Sequence, residues 1–234
     1  MEIQAAVAKV GKYATHESGD TLEMIERPRG GLSLVLVDGQ HTGRGAKAVS
    51  NLVARKALSL LAEGVRDGAA ARAAHDSLYT QYEGKVQASL TIVSIDLVSK
   101  TLLITRNNSQ PVYIVRPDSV VALDAACQPV GLYRHTRPAI AELPLEPHTV
   151  AVVYTDGLPS AGVRRGEPFN VHAAVQKLHA EGLAAAQTWA DRLLAEALQR
   201  DDGRASDDIS VLIVAVLPRQ SSDEARRMLV RMPL

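Results

Sequence analysis

The sequence predicts an α+β fold in which strands and helices come in separate runs. Two observations carry this. Residues 86–123 hold consecutive short apolar segments parted by turn residues, with no helical segment between them. Helical spacing gathers instead in two blocks, 42–82 and 170–200. A parallel sheet would need strand and helix to alternate along the chain.

The elements follow in order. Residues 2–10 alternate loosely and suit a strand, and LSLVLVD at 32–38 is a short apolar run ending in an acid, which reads as a buried strand. Alanines and leucines at helical spacing fill 42–64, with Gly64 as a stop, and a second helix runs over 67–82 with Asp67 as N-cap. Strands are expected at 86–97, 101–106, 111–116, 119–123, 136–143 and 149–155. Helices over 170–181 and 184–200, a polar loop DDGRASDD and a last strand from 209 complete the domain, 1–217. Residues 218–234 form a C-terminal tail. Its EARRMLVRM segment has a basic amphipathic pattern that suits a short helix packed on the domain or frayed in solvent, or a segment that docks a partner.

Bulk composition excludes several classes. Lys plus Arg and Asp plus Glu each number 26, so there is no basic excess of the kind nucleic-acid binders carry, and 3% aromatic content leaves few stacking platforms. No stretch approaches the ~18 consecutive apolar residues of a membrane helix, and the N-terminus lacks a signal-peptide pattern. The reading is a cytoplasmic protein with neither nucleic-acid nor membrane partner. The single cysteine, Cys127, forms no internal disulfide and is expected as a small core residue.

The informative feature is the placement of aspartates. Asp38 follows LSLVLV and precedes Gly39. Asp156 follows VAVVYT and precedes Gly157. Asp207 and Asp208 precede ISVLIVAV, and Asp20 ends ESGD, just after the first expected strand. A carboxylate beside a buried strand is costly unless it is paired or binds a metal, and clustered carboxylates repel. A divalent cation resolves both problems, and oxygen-only ligands select Mg2+ or Mn2+. Glycine after the acid leaves room for its carbonyl to approach a metal. No CxxC or HExxH pattern is present, which disfavours zinc.

ESGD at 17–20, LVLVDGQHTGRGAKA at 34–48, CQPVGLY at 127–133, AVVYTDGLPSAG at 151–162 and SDDISVLIV at 206–214 together resemble the metal-dependent protein phosphatases of type 2C (the PPM family), in their SpoIIE-like bacterial branch. The resemblance spans about residues 2–217. It implies a four-layer α/β/β/α sandwich of two antiparallel sheets flanked by helices, with a metal pair at one edge. Carried over, Asp38 bridges two Mn2+ or Mg2+ ions, Asp20 and the Gly39 carbonyl help hold one, and Asp156 and Asp207 complete the other. Asp208 lies beside the ligands. The implied reaction is hydrolysis of phosphoserine or phosphothreonine on a protein by a metal-activated water, with Asp38 and Asp156 central.

Several positions depart from the pattern. Gln40 takes the histidine position of the DGHG motif, and His41 follows it. His41 is a candidate to protonate the leaving oxygen, against a capping or solvated role. No arginine precedes Arg27, and His16 stands at the spacing where other members hold phosphate. NNSQP at 107–111 replaces NAGHP. Motifs that begin within the first twenty residues resemble stand-alone phosphatases that reset bacterial stress-signalling complexes and sigma-factor control, whose substrates are phosphorylated STAS-domain proteins. The altered segments also fit a non-catalytic, phosphatase-like regulatory binding domain. A receiver-like phosphoacceptor would share the acids but not the consecutive strands of 86–123.

Overall fold

The computed structural model describes residues 1–182, 185–219, 222 and 224–232. Strands β1 (Glu2–Val10), β2 (Asp20–Glu26) and β3 (Leu32–Gly39) precede helices α1 (Gly43–Ala62) and α2 (Asp67–Tyr82). Six strands follow: β4 (Ala88–Asp96), β5 (Thr101–Asn107), β6 (Val112–Arg116), β7 (Ser119–Leu123), β8 (Ala139–Pro144) and β9 (Thr149–Tyr154). A short turn of helix α3 (Gly157–Ser160), helices α4 (Val171–Ala180) and α5 (Ala186–Arg200), and strand β10 (Ile209–Leu217) end the domain.

The strands form two five-stranded sheets, ordered β1-β10-β9-β6-β7 and β2-β3-β4-β5-β8, and every named pair is antiparallel. The alternation within LSLVLVD explains the layering. Leu34 and Leu36 face the other sheet, where they join Val93, Ile104, Val153 and Leu212. Val35 and Val37 face the helices, against Val53, Ala57 and Leu78. A strand covered on both faces reads as a continuous apolar run. A third apolar layer packs Trp189, Leu193 and Val175 of the late helices against Val152, Val211 and Ile213. The result is the four-layer sandwich expected from the sequence.

The structure corrects several local readings. Strand β2 has no counterpart in the sequence reading, which placed Asp20 just after the first strand. DTLEMIE is an edge strand with exposed Glu23, Met24 and Glu26, and edge strands carry charge without an apolar alternation. Asp67 does not cap α2 from outside. It is the first helical residue, buried, and its carboxylate receives Arg27 Nη1 at 2.7 Å together with the Ser94 hydroxyl. Cys127 is half-buried, its thiol 3.3 Å from the Asn108 carbonyl, so it is not a core residue. The expected helix over 184–200 begins at Ala186, and positions 183 and 184 lie outside the described residues.

Among the described tail residues none is helical. Met228, Leu229, Val230 and Met232 are exposed, and Arg226 reaches back to Glu26 of β2 at 3.2 Å. A helix this short is marginal in water without an apolar surface to cover. No helix among the described residues is long and apolar enough to cross a membrane.

Arg27 and Asp67 tie the β2–β3 turn to the start of α2, and Arg27 Nη2 also donates to the Val65 carbonyl at 2.9 Å. Removing one member of a buried, hydrogen-bonded ion pair strands the other charge. Asp67→Ala should therefore lower unfolding free energy by about 3–5 kcal/mol in urea titration, and Arg27→Met added to it should recover part of that loss.

Candidate metal centre

Each sheet delivers acids to the same edge. In the second sheet, Asp20 opens β2 and Asp38 lies near the end of β3, and the two are direct cross-strand partners. In the first sheet, β9 and β10 are neighbours, with Tyr154 opposite Val211. Asp156 follows β9, and Asp207 and Asp208 precede β10. Antiparallel pairing brings the acids of each sheet together, and the packing of the sheets, with the bonds from Asp20 to Thr155 and Ser210, brings both sets to one edge.

The two Asp-Gly junctions have a steric cause that the sequence reading did not reach. A side chain at Gly39 would run into the Ala46 backbone of α1, and one at Gly157 would run into the Asp208 backbone. Glycine lets the chain after each acid press against the next element, which sets where the carboxylate sits.

Asp20 is 1% exposed and serves as the joint between the sheets. Its Oδ2 accepts Thr155 Oγ1 at 2.9 Å and Ser210 Oγ at 2.6 Å, both from the first sheet's edge. The Thr155 and Ser210 backbones bond to one another as well, and Ser210 N–H donates to Thr155 Oγ1. Asp20 Oδ1 is buried with no hydrogen-bond partner. Burial pushes the Asp20 carboxyl up to about 7, against the pull of the two hydroxyls.

Asp38 is driven higher, to about 9, by burial and then by repulsion from Asp156, Asp20 and Asp207. Asp156 is raised in the same direction, by the desolvation of its surroundings and by Asp207. Asp156 is exposed and Asp207 half-buried; Asp207 Oδ1 accepts the Asp208 N–H at 3.0 Å and lies 3.9 Å from Lys12 Nζ. Asp208 has both oxygens engaged, by Lys12 N–H at 2.9 Å and Gly19 N–H at 2.7 Å, and so it fastens the 11–19 loop to β10.

The donor set fits a hard divalent cation. The acids crowd until two of them hold protons into the neutral range, and one buried carboxylate oxygen is orphaned. A cation at that point would replace protons and satisfy the oxygen. Among the described residues, no three acids or histidines already stand in joint coordinating geometry. Asp20, Asp38, Asp156 and Asp207 would be the residues to hold it, after shifting toward a common point.

The structure does not tie His41 to this cluster. The residue is exposed in the loop between β3 and α1, in left-handed backbone at φ 75°, and no hydrogen bond or ion pair joins its side chain to an acid among the described residues. Thr155, Ser210, Lys9 and Lys47 were missed. Lys9 Nζ and Lys47 Nζ donate to the Asp20 carbonyl at 2.6 and 2.7 Å. Burial and the neighbouring Lys47 lower the Lys9 ammonium, while Asp20 and Asp208 oppose that. Thr155 and Ser210 each sit beside an acidic motif, which is the one local signal; the lysines carry none. An open groove of about 560 Å3 between α1 and α2, lined by Arg55, Lys56 and Tyr82, holds none of these acids.

Carboxyls raised in the folded chain bind more protons there than when unfolded. Their favourable contribution is complete below about pH 4 and is lost as pH rises through about 7 for Asp20 and about 9 for Asp38. Metal-free protein should therefore melt at lower temperature at pH 9 than at pH 6 through this cluster, and saturating Mg2+ should reduce the difference. Asp38→Asn should raise metal-free stability by about 0.5–2 kcal/mol and abolish most of the pH effect, as read by calorimetry.

The sequence model described as Stage II sporulation protein E (SpoIIE) matches residues 28–217. Stage II sporulation protein E of Priestia megaterium is 22% identical over 211 residues, 90% of this chain but 36% of that protein, so the chain spans about a third of its relative. The structure of the PP2C phosphatase domain of SpoIIE with a fragment of its regulatory domain, from Bacillus subtilis, superposes with a TM-score of 0.79 at 21% identity, over 94% of this chain and 64% of that one. The catalytic domain of the serine/threonine protein phosphatase PstP, solved in complex with 2 manganese ions, gives a TM-score of 0.70 at 16% identity, over 92% and 99% of the two chains. With the PP2C-type sandwich and the acids in family order at one sheet edge, the chain belongs to the SpoIIE family.

Proposed function

We propose that residues 1–217 form a metal-dependent protein serine/threonine phosphatase domain, with 218–234 as an appended tail. The observation that carries this reading is the convergence of Asp20, Asp38, Asp156 and Asp207 with an unpartnered, buried carboxylate oxygen among them. Mn2+ or Mg2+ suits these ligands, and such an ion pair supplies Lewis acidity and a water that is nucleophilic near neutral pH.

The chain's own groups then have distinct tasks. Asp38 lies close to the charges of Asp156, Asp20 and Asp207 together, so it would contribute most to holding an ion among them. Thr155 and Ser210 fix Asp20 Oδ2 and leave Oδ1 as the oxygen that would be available to an ion. Asp208 holds the 11–19 loop across the site rather than a ligand position. No side-chain nucleophile is invoked. The exposed His41 is free to reach a bound substrate and protonate the serine or threonine oxygen as it leaves.

The substrate we infer is a phosphorylated protein, of the STAS-domain kind, in a bacterial stress or sigma-factor pathway of the cytoplasm. Support for the protein substrate comes from membership in a family with PP2C-type phosphatase domains; the pathway rests on fold-level resemblance alone. A second reading, a non-catalytic regulatory binding domain, draws on the untethered His41 and on acids that are not in joint coordinating geometry.

Activity separates the two. Purified protein with Mn2+ should release phosphate from a phosphoserine protein and from an aryl phosphate, and a chelator should stop it. Asp38→Asn and Asp156→Asn should each reduce kcat by at least about 10²–10³-fold without unfolding the chain. A folded protein that releases no phosphate with either metal would leave the binding-domain reading in place. Ser210→Ala should weaken Mn2+ binding by about 10–100-fold in titration calorimetry, because it frees Asp20 Oδ2 to rotate.

A further inference from the structure

We propose that the open edge of β2 is a docking surface for an extended segment, and that its occupant is this chain's own stretch 226–231, added to the second sheet as a sixth, antiparallel strand. β2 pairs with β3 and has no strand on its other side. Arg27 N–H donates to the Gly31 carbonyl at the β2–β3 turn, so the odd-numbered residues of β2 bond toward β3. The N–H and C=O groups of Leu22, Met24 and Glu26 therefore point outward, and such an unpaired row is a template for another strand. The side chains along this edge are unfinished too. Leu22 of β2 and Ile3 and Val7 of β1 are only half-buried at the rim of the apolar layer between the sheets, and Met24, on the same face of β2 as Leu22, is exposed.

One contact sets the register. Arg226 Nη1 lies 3.2 Å from Glu26 Oε1, at the last residue of β2. A surface ion pair of this kind contributes little energy, but it fixes where the segment meets the strand. Parallel continuation from there would run into the β2–β3 turn, where β2 offers no edge. Antiparallel continuation sets Met228 opposite Met24 and Val230 opposite Leu22, so both cover the half-open apolar rim. Met228 and Val230 are now exposed, and each gains an apolar neighbour on docking. On the other face Leu229 comes opposite Glu23, with Arg227 and Arg231 on either side of that exposed acid. A second copy's β2 would bring more glutamates to this edge, whereas the segment brings arginines. At the far end the Asp20 carbonyl already accepts Lys9 and Lys47, so the added strand stops before the acids.

Amide hydrogen exchange in the full chain, resolved by residue, tests the docking. The Leu22 and Met24 amides should exchange at least about tenfold more slowly in the wild type than in Val230→Pro, which removes a ladder donor from the segment and leaves the domain intact. Arg226→Glu should speed the same two amides, and adding Glu26→Arg to it should slow them again. Equal exchange in the wild type and Val230→Pro overturns the proposal. Protection that rises with protein concentration also overturns it, because the occupant is then a second copy. A cross-link gives an independent reading. Glu23→Cys with Leu229→Cys, in a Cys127→Ser background, places two thiols at a non-hydrogen-bonded cross-strand pair, the closer of the two pair types. Mild oxidation should join them within one chain. A disulfide formed only between chains, or none at all, sinks the assigned register.

Discussion

The hydrogen bonds that Thr155 and Ser210 make to Asp20 Oδ2 hold the two sheets in register at the edge where the acids meet. Asp20 belongs to β2 of one sheet, while its partners end β9 and begin β10 of the other. Between the sheets lies a largely apolar layer of Leu34, Leu36, Val153, Leu212 and their neighbours, which attracts without direction and tolerates sliding. A buried carboxylate with two hydroxyl donors is directional and costly to break. It therefore sets the alignment that the apolar layer leaves loose, and with it the separation of Asp38 from Asp156.

The glycines after the acids serve the same alignment from the backbone side. Gly39 lets α1 come close behind Asp38, and Gly157 lets the Asp208 backbone come close behind Asp156. The backbone that follows each acid is thereby pinned against the next element, which fixes where the carboxylate is anchored while leaving its side chain able to turn.

This division explains what could be read from the sequence. Asp38 and Asp156 were legible because a long apolar strand followed by Asp-Gly is a local pattern, and the alternation in LSLVLVD reports burial on both faces. The sandwich was legible for the same reason, since most of its strands are apolar runs. Strand β2 was not, because an edge strand with Glu23 and Glu26 exposed carries no alternation to detect. Losing β2 hid the cross-strand pairing of Asp20 with Asp38, so Asp20 rested on resemblance. Lys9 and Lys47 stood in a strand and a helix whose mutual approach only the folded chain defines. Asp67 looked like a cap because an acid at a helix start usually acts locally, and its long-range partner Arg27 overrode that.

Balanced charge across the chain conceals a strong local separation. With 26 basic and 26 acidic residues, the protein has no net charge to draw a charged ligand from a distance. Yet Asp20, Asp38, Asp156, Asp207 and Asp208 share one edge with Lys9, Lys12 and Lys47. Fields from opposite charges this close cancel within about a Debye length, ~8 Å at physiological salt. Discrimination by charge at this edge must then occur at contact rather than at a distance. A site of this kind gains selectivity from the short reach of its charges, because an ion lacking the right shape feels little attraction until it is already there.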